Sequence, residues 1–438
     1  MVGVVLCTTC WPQSTVDRPS ITFFPYGILG WDKSQGGVFD SGLDFTVKYK
    51  GLTGLGSISP DFRYVPKDIL SLDFSYFERL PAETRPFFLA GRSYYSGVPL
   101  ATQRIDTFDA AFKTYGQLDK KTSIGFLDAA DFWQGNALAA SLVHQMDKNG
   151  NFRTGFSSWR EPEFENQLIS AGVDYQLGPV RLNSEIRSSH DTEIGAGSYM
   201  FGEASYDRHN VFARVDGYQA SANYLDRLDY FTETNIRGTD GSIGVRQPHA
   251  KGAVASTSET VFGSYYRYLN GDPYRKMAGV SGNATLRNGI SNTASYRSED
   301  FLDFHDHLVS LSSRGYRLGG LRIGAVTDIG NLAGHSYFNI LGEVRGNVTK
   351  HLQIHGSIQQ VKHFENREQS ILGFDYDLGK ERAITGRMVQ IGSRVNTYAA
   401  YSFRDRAATY QLILGDPNSD SFRTRIALKA VYPLEVRF

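Results

Sequence analysis

The chain has 438 residues, with 46 basic and 46 acidic side chains, 28 Phe, 25 Tyr, 4 Trp and 45 Gly. Balanced charge gives no field that would gather nucleic acid or an anionic surface, and no apolar run reaches the roughly 18 residues of a membrane helix. A membrane β-barrel stays open, because each of its strands carries only half the apolar signal, and a chain rich in aromatics and glycine favours strands and turns.

Residues 1–19 read as a disordered or mis-started N-terminus. The opening MVGVVLCTTCWPQS lacks the basic region and small-residue cleavage site of an export signal. Either the protein is not exported, or the reading begins inside a longer one. Cys7 and Cys10 form a C-x-x-C with no strand-helix context and no second ligand pair, and are read as incidental. Residues 20–438 read as a single domain.

Residues 57–91, SISPDFRYVPKDILSLDFSYFERLPAETRPFFLAG, break the alternating rhythm with prolines, acids and aromatics. They are predicted to be a non-strand insertion, either folded into a lumen or capping it. In the first case Asp61, Asp68, Glu78, Glu83 and Arg85 would pair with the inner wall, with Phe87 and Phe88 packed beneath it. An extracellular loop is the other reading.

Further on, Ile169, Ala171, Val173, Tyr175 and Leu177 share one face of a strand. After the Gly178-Pro179 turn, Val180, Leu182 and Ile186 alternate with Arg181, Asn183, Glu185 and Arg187, which predicts a hairpin. Arg181, Glu185, Arg187, Arg214 and Asp216 are candidate lumen charges. Aromatics in GSYMFGEASY and GSYYRY are assigned to interfacial girdles, and SYYRYLNGDPYRK to a longer polar loop.

In LDFHDHL, Asp303, His305 and His307 share a face with metal-ligand spacing, but the stretch reads equally as a polar rim with no further ligand. GDPNSD at 415–420 is turn chemistry rather than a calcium loop. No G-x-S-x-G elbow marks a hydrolase. No cofactor or metal is predicted, and the protein is not expected to be an enzyme.

The chain ends RTRIALKAVYPLEVRF. Ile426, Leu428, Ala430, Tyr432, Leu434, Val436 and Phe438 share a face, opposite Arg425, Lys429, Glu435 and Arg437. The pattern resembles the closing strand of bacterial outer-membrane barrels, with Tyr432, Leu434, Val436 and Phe438 as the signal read by the assembly machinery. Pro433 within it would cost one ladder bond. The fold is therefore predicted as all-β, a transmembrane antiparallel outer-membrane β-barrel. At roughly 20 residues per strand with its connection, about 16 to 18 strands fit.

The 57–91 segment also resembles one family, a bacterial outer-membrane barrel domain of unknown function that usually follows a family 9-like carbohydrate-binding module. Pro60, Asp61, Phe62, Val65, Asp68, Ser75, Phe77, Glu78, Glu83, Arg85, Pro86, Phe87, Phe88, Leu89 and Gly91 match its motif, while Asp73, Phe74, Ala82 and Ala90 depart from it. The resemblance implies outer-membrane lipid as surroundings, saccharides as candidate solutes and a signal-bearing module upstream. A channel for polar solutes is the expected function. The alternatives are a plugged structural barrel that displays a sugar-binding module and, third, an outer-membrane hydrolase.

Overall fold

The computed structural model describes residues 18–230, 233–405 and 407–437. Its first strands are β1 (Ser20–Asp32), β2 (Gly36–Tyr49) and β3 (Leu52–Ile58). After residues 59–109 come β4 (Ala110–Gln117), β5 (Thr122–Asp131), β6 (Gly135–Gln145), β7 (Gly150–Arg160), β8 (Glu165–Leu177), β9 (Val180–Asp191), β10 (Gly195–Arg208) and β11 (Val211–Ala220). Residues 221–235 lead to β12 (Ile236–Pro248), β13 (Val254–Tyr268), β14 (Pro273–Leu286), β15 (Ser291–Phe301), β16 (Phe304–Leu318) and β17 (Leu321–Leu332). Then follow β18 (His335–Asn347), β19 (Leu352–Lys362), β20 (Asn366–Gly379), β21 (Arg382–Ile391), β22 (Arg394–Asp405) and β23 (Ala408–Leu414). The last, β24, has two collinear pieces, Arg425–Val431 and Leu434–Arg437, both paired with β1.

Each strand pairs antiparallel with its sequence neighbours, and β24 closes on β1 with Ser20 opposite Arg437 and Asp32 opposite Arg425. The result is a closed barrel of 24 strands. Closure satisfies the backbone of every strand from within the wall, which is what a hydrocarbon surrounding demands. The expectation of 16 to 18 strands is corrected: it assumed long connections at one rim, whereas most connections at both rims have two to five residues. The supposed polar loop around Asn270-Gly271 is one of these tight turns, with β13 and β14 continuing on either side. The break at Pro433 is as expected, and there Tyr432 N donates to Pro25 O at 3.2 Å.

The wall is apolar outside and polar inside. Ile243, Val261, Val280, Tyr296, Val309, Ile329 and Phe338 stand directly opposite one another across β12 to β18 and form one continuous outer belt. Ile169, Ile186 and Ile358 are 60% or more uncovered by protein. A belt of this extent belongs against lipid. Facing inward and buried are Asn166, Ser170, Asp191, Gln359, Gln369 and Arg425. On β24 the outer face carries Ile426, Leu428, Tyr432, Leu434 and Val436, while Arg425 turns inward to Asp32 and Asp416. Phe438 lies outside the described residues, as do residues 1–17 with Cys7 and Cys10.

One girdle assignment is also corrected. Tyr265 faces out, but Tyr199, Tyr218 and Tyr266 face the lumen and pack in sequence with tilted rings, centroids 5.6 and 5.2 Å apart. Successive strand residues alternate faces, so a tyrosine pair such as Tyr265-Tyr266 divides between lipid and lumen.

With an even strand number β1 begins and β24 ends at one rim. The three long connections, 59–109, 221–235 and 415–424, each follow an odd-numbered strand and therefore all leave from the opposite rim. All three turn inward.

Candidate functional site: a luminal plug in two parts

The irregular segment is longer than expected at its C-terminal side and shorter at its start: Ser57 and Ile58 belong to β3, and the next strand begins only at Ala110. It lies inside the barrel. Its partners come from around the ring: Asp40 on β2, Lys113 on β4, Ser141 on β6, Ser170 on β8, Asp306 on β16, Gln359 on β19 and Lys429 on β24.

Residues 82–109 make a compact lobe with a helical turn at Pro86–Leu89 and short 3-10 turns at Arg92–Tyr95 and Thr102–Arg104. Phe88, Tyr95, Val98, Ile105 and Phe108 form its core against Leu127 and Ala129 of β5 and Ala137 and Ala139 of β6. Phe87 packs edge to face on Phe88 at 5.2 Å. Small wall residues let the lobe approach closely. At Gly97 a Cβ would stand 2.5 Å from Thr154 O, and its amide and carbonyl bond Ser141 Oγ and Ser170 Oγ at 2.9 and 2.6 Å.

At the lobe's centre sits the Glu83–Arg85 pair. Arg85 uses all five of its donors: Nε and Nη2 reach Glu83 at 2.8 and 2.7 Å, Nη2 also reaches Thr102 O at 2.7 Å, and Nη1 bonds the carbonyls of Ile105 and Asp106. The rings of Phe62 and Phe88 flank the guanidinium at 5.1 and 4.3 Å. Burial pushes the Glu83 carboxyl up, but hydrogen bonds and charge from Arg85 outweigh it and hold the group below its usual range. The expectation that both residues pair with the wall is thus corrected. They pair with each other, because an arginine two residues away closes a fork that no strand side chain can reach first.

Residues 69–81 form a second part, an extended strap. Its base is clasped where Ala82 N donates to Asp68 Oδ2 at 3.0 Å. Among the described residues, no backbone N–H from 66 to 84 bonds a backbone carbonyl. Wall side chains serve instead: Gln369 Nε2 donates to Leu70 O (3.2 Å), Leu72 N to Gln359 Oε1 (2.7 Å), Phe74 N to Tyr337 Oη (3.3 Å) and Tyr76 Oη to Asp306 Oδ2 (2.6 Å). Gln359 is itself aimed by Asn339, and Asn339 by Asp328, at 3.0 and 2.8 Å. Glu78 pairs with Arg104 of the lobe and Asp61 with Lys429 of the wall.

The strand charges singled out in the sequence all face the lumen. Arg187 bridges Glu185 (2.7 Å) and Asp229 (3.1 Å); Arg214 bridges Glu203 (3.0 Å) and Asp216 (2.9 Å); Arg181 pairs with Asp174. The Asp303, His305, His307 grouping does not assemble. His305 bonds only Asp300 at the rim, and no cluster of three metal-ligating residues exists among the described residues. The residue of that stretch that matters is its neighbour Asp306, fully buried and holding Tyr76. Gln359, Tyr337 and Asp306 went unmarked as site residues in the sequence, since a polar group on a lumen face looks the same whether or not a strap crosses it.

Residues 221–230 clamp the lobe. Ala101 N donates to Leu228 O at 2.6 Å and Arg104 Nε to Asp229 O at 3.2 Å. Among them Asp226 is buried, with Oδ1 bonded by Leu228 N and Oδ2 without a partner among the described residues. Burial, then the charge of Asp229, raises its carboxyl to about 7, against the pull of Arg187 and Arg104. A raised acid favours the fold when protonated, so its contribution is full below about pH 4 and is lost as pH rises through 7. Hydrogen exchange of residues 221–230, referenced to unstructured rates, is expected to speed up between pH 5 and 8, and Asp226→Asn to flatten that dependence.

No protein-family model matches the chain, and no curated protein matches it in sequence. Among solved structures, the siderophore receptor PirA from Pseudomonas aeruginosa superposes with a TM-score of 0.51 at 7% identity, covering 95% of this chain and 80% of that one. The ferric-catecholate import receptor Fiu from E. coli K12 gives 0.44 at 9% identity, covering 97% and 82%. The likeness to PirA is one of fold, a large outer-membrane barrel.

Proposed function

We propose that the protein is a gated outer-membrane conduit for polar solutes, held shut by the strap 69–81. It sits in the bacterial outer membrane with the rim of long connections outward, the asymmetry such barrels share. The observation that carries this reading is the strap's fastening. A permanent seal would be built like the lobe, with a buried core of its own, whereas the strap has no backbone–backbone bonds among the described residues and is tied by individual side-chain hydrogen bonds worth about 0.5–1.5 kcal/mol each, with Leu72 and Phe74 packed on the wall. Released, it leaves a polar, charge-lined path past Arg187 and Arg214. A saccharide solute is the class suggested by resemblance to barrels that follow a sugar-binding module, and the outer face of β24 is offered to the assembly machinery.

The competing reading, a structural barrel that only displays a module, is favoured by the lobe's packed core. A tether separates them. In a background with Cys7 and Cys10 changed to Ser, Leu72→Cys and Val361→Cys place thiols in one hydrophobic cluster, to be joined by a short reducible bis-thiosulfonate. Planar bilayers should show opening events before bridging, none after it, and recovery on reduction. Silence in all three states would establish the structural barrel.

A further inference from the structure

On the inner wall of β16 to β21, one cross-strand row is made almost wholly of cations. Arg317 stands directly opposite Arg322, Arg322 opposite Arg345, Arg345 opposite His355, His355 opposite Gly373, and Gly373 opposite Arg387. We infer that this row is a binding stripe for anions, taking a solute that carries two or more carboxylate or phosphate groups. As a path for transport it deepens the gated-conduit reading and rests on it.

The direction of the row follows from the belt. Ile329 and Phe338 face lipid, and because successive strand residues alternate faces, Arg322 and Arg345 turn inward. By the same count Arg317 would share the outer face with Val309 and Leu311. A bulge at Gly315, with φ at +85°, shifts the register between Arg314 and Tyr316 and sends Arg317 into the lumen. Gly373 puts no side chain into the row, and the His355 ring fills the place its Cβ would take.

What the row lacks is acid. Among the described residues Arg317, Arg322 and Arg345 have no ion-pair partner, and the hydrogen bonds of Arg387 go to the carbonyls of Lys67 and Pro417, both at 2.8 Å. Glu343 and Asp375 lie one row to either side and ion-pair with none of them. Like charges directly opposite one another oppose folding. The same lumen shows the alternative, since on β9 to β11 each of Arg181, Arg187 and Arg214 has a carboxylate on its own or the adjacent strand. A wall that needed only wetting would interleave signs in that way throughout.

Uncompensated charge inside a low-dielectric wall concentrates counter-ions, and guanidinium forks match carboxylate and phosphate oxygens two at a time. Strands stand about 4.8 Å apart, so the five steps from Arg317 to Arg387 extend about 24 Å. That seats several anionic groups in a line. The row begins beside the β16–β17 turn at the inner rim and ends at Arg387, which lines a chamber of about 680 Å³ beside the strap. It thus joins the space behind the strap to the inner mouth, out of reach of lipid headgroups in the surrounding leaflet.

The test is calorimetry on the detergent-solubilised full chain with trigalacturonate, tripolyphosphate and, as the neutral probe, maltotriose. At least one anion should bind more tightly than maltotriose, with an affinity that falls as salt rises, and the tighter of the two tells carboxylate from phosphate. Arg322→Gln with Arg345→Gln, at exposed side chains, should lose about tenfold or more in affinity, and lysine at both positions should restore much of it. Binding of neither anion, equal binding of maltotriose, or affinity unchanged in the glutamine variant would overturn the assignment. Calorimetry reads the stripe with the strap shut. Binding by a barrel that stays silent in bilayers would keep the anion site and remove the conduit, and a gating barrel that binds neither anion would do the reverse.

Discussion

Excising residues 69–81 should turn a largely closed barrel into an open pore. The cut is geometrically mild, because Asp68 and Ala82 already touch through the 3.0 Å bond at the strap's base, so a Gly-Ser-Gly bridge joins the ends. It removes five wall hydrogen bonds, one each at Leu70, Leu72 and Phe74 and two at Tyr76, which donates to Asp306 and accepts from Ala333 N, together with the packing of Leu72 and Phe74 on Leu332, Tyr337 and Val361. At about 0.5 kcal/mol each as a lower bound, the bonds alone favour closure by about 2.5 kcal/mol, beyond the 1.4 kcal/mol that makes a factor of ten. Open probability in planar bilayers is therefore expected to rise more than tenfold while the lobe stays in place. An excised protein no more conductive than the parent would show that the lobe, not the strap, blocks the path.

The second large effect is at Arg85. Arg85→Met leaves the Glu83 carboxylate buried with its counter-charge gone, which costs about 3–5 kcal/mol. That loss falls on the lobe, since the pair hydrogen-bonds no strand: every hydrogen-bond partner of either side chain belongs to residues 83–106. Proteolysis should then nick residues 82–109 while the barrel keeps its folded mobility in unheated gels. Glu83→Gln with Arg85→Met should recover much of the resistance, because a neutral amide is cheaper to bury than a lone carboxylate. Equal sensitivity of the single and double variants would mean that the pair is not what holds the lobe.

Much of the wall was legible in the sequence. Ile169 through Leu177 alternate because one face meets lipid, and the run from Ile426 to Val436 reads as a closing strand for the same reason. Strand number was not legible, because it depends on turn length, and tight turns at both rims allow 24 strands where longer ones would allow fewer. Glu83 and Arg85 stood out as charges in an aromatic setting, yet sequence could not tell a local fork from a contact with the wall. The strap's fasteners were least visible. Gln359 and Asp306 lie 287 and 230 residues from the groups they hold, and nothing in their own neighbourhoods announces it.

The position of the plug between β3 and β4 also sets a schedule for biogenesis. Most of the lobe's wall partners, on β4 to β8, follow it closely in the chain, and contacts near in sequence form with little loop-closure entropy. The strap's partners arrive on β16 to β20, when most of the cylinder exists. A nascent barrel thus acquires its core stopper early and its latch late, and an intermediate arrested before β16 would be a half-built wall around a finished lobe, with thirteen residues still loose in the opening.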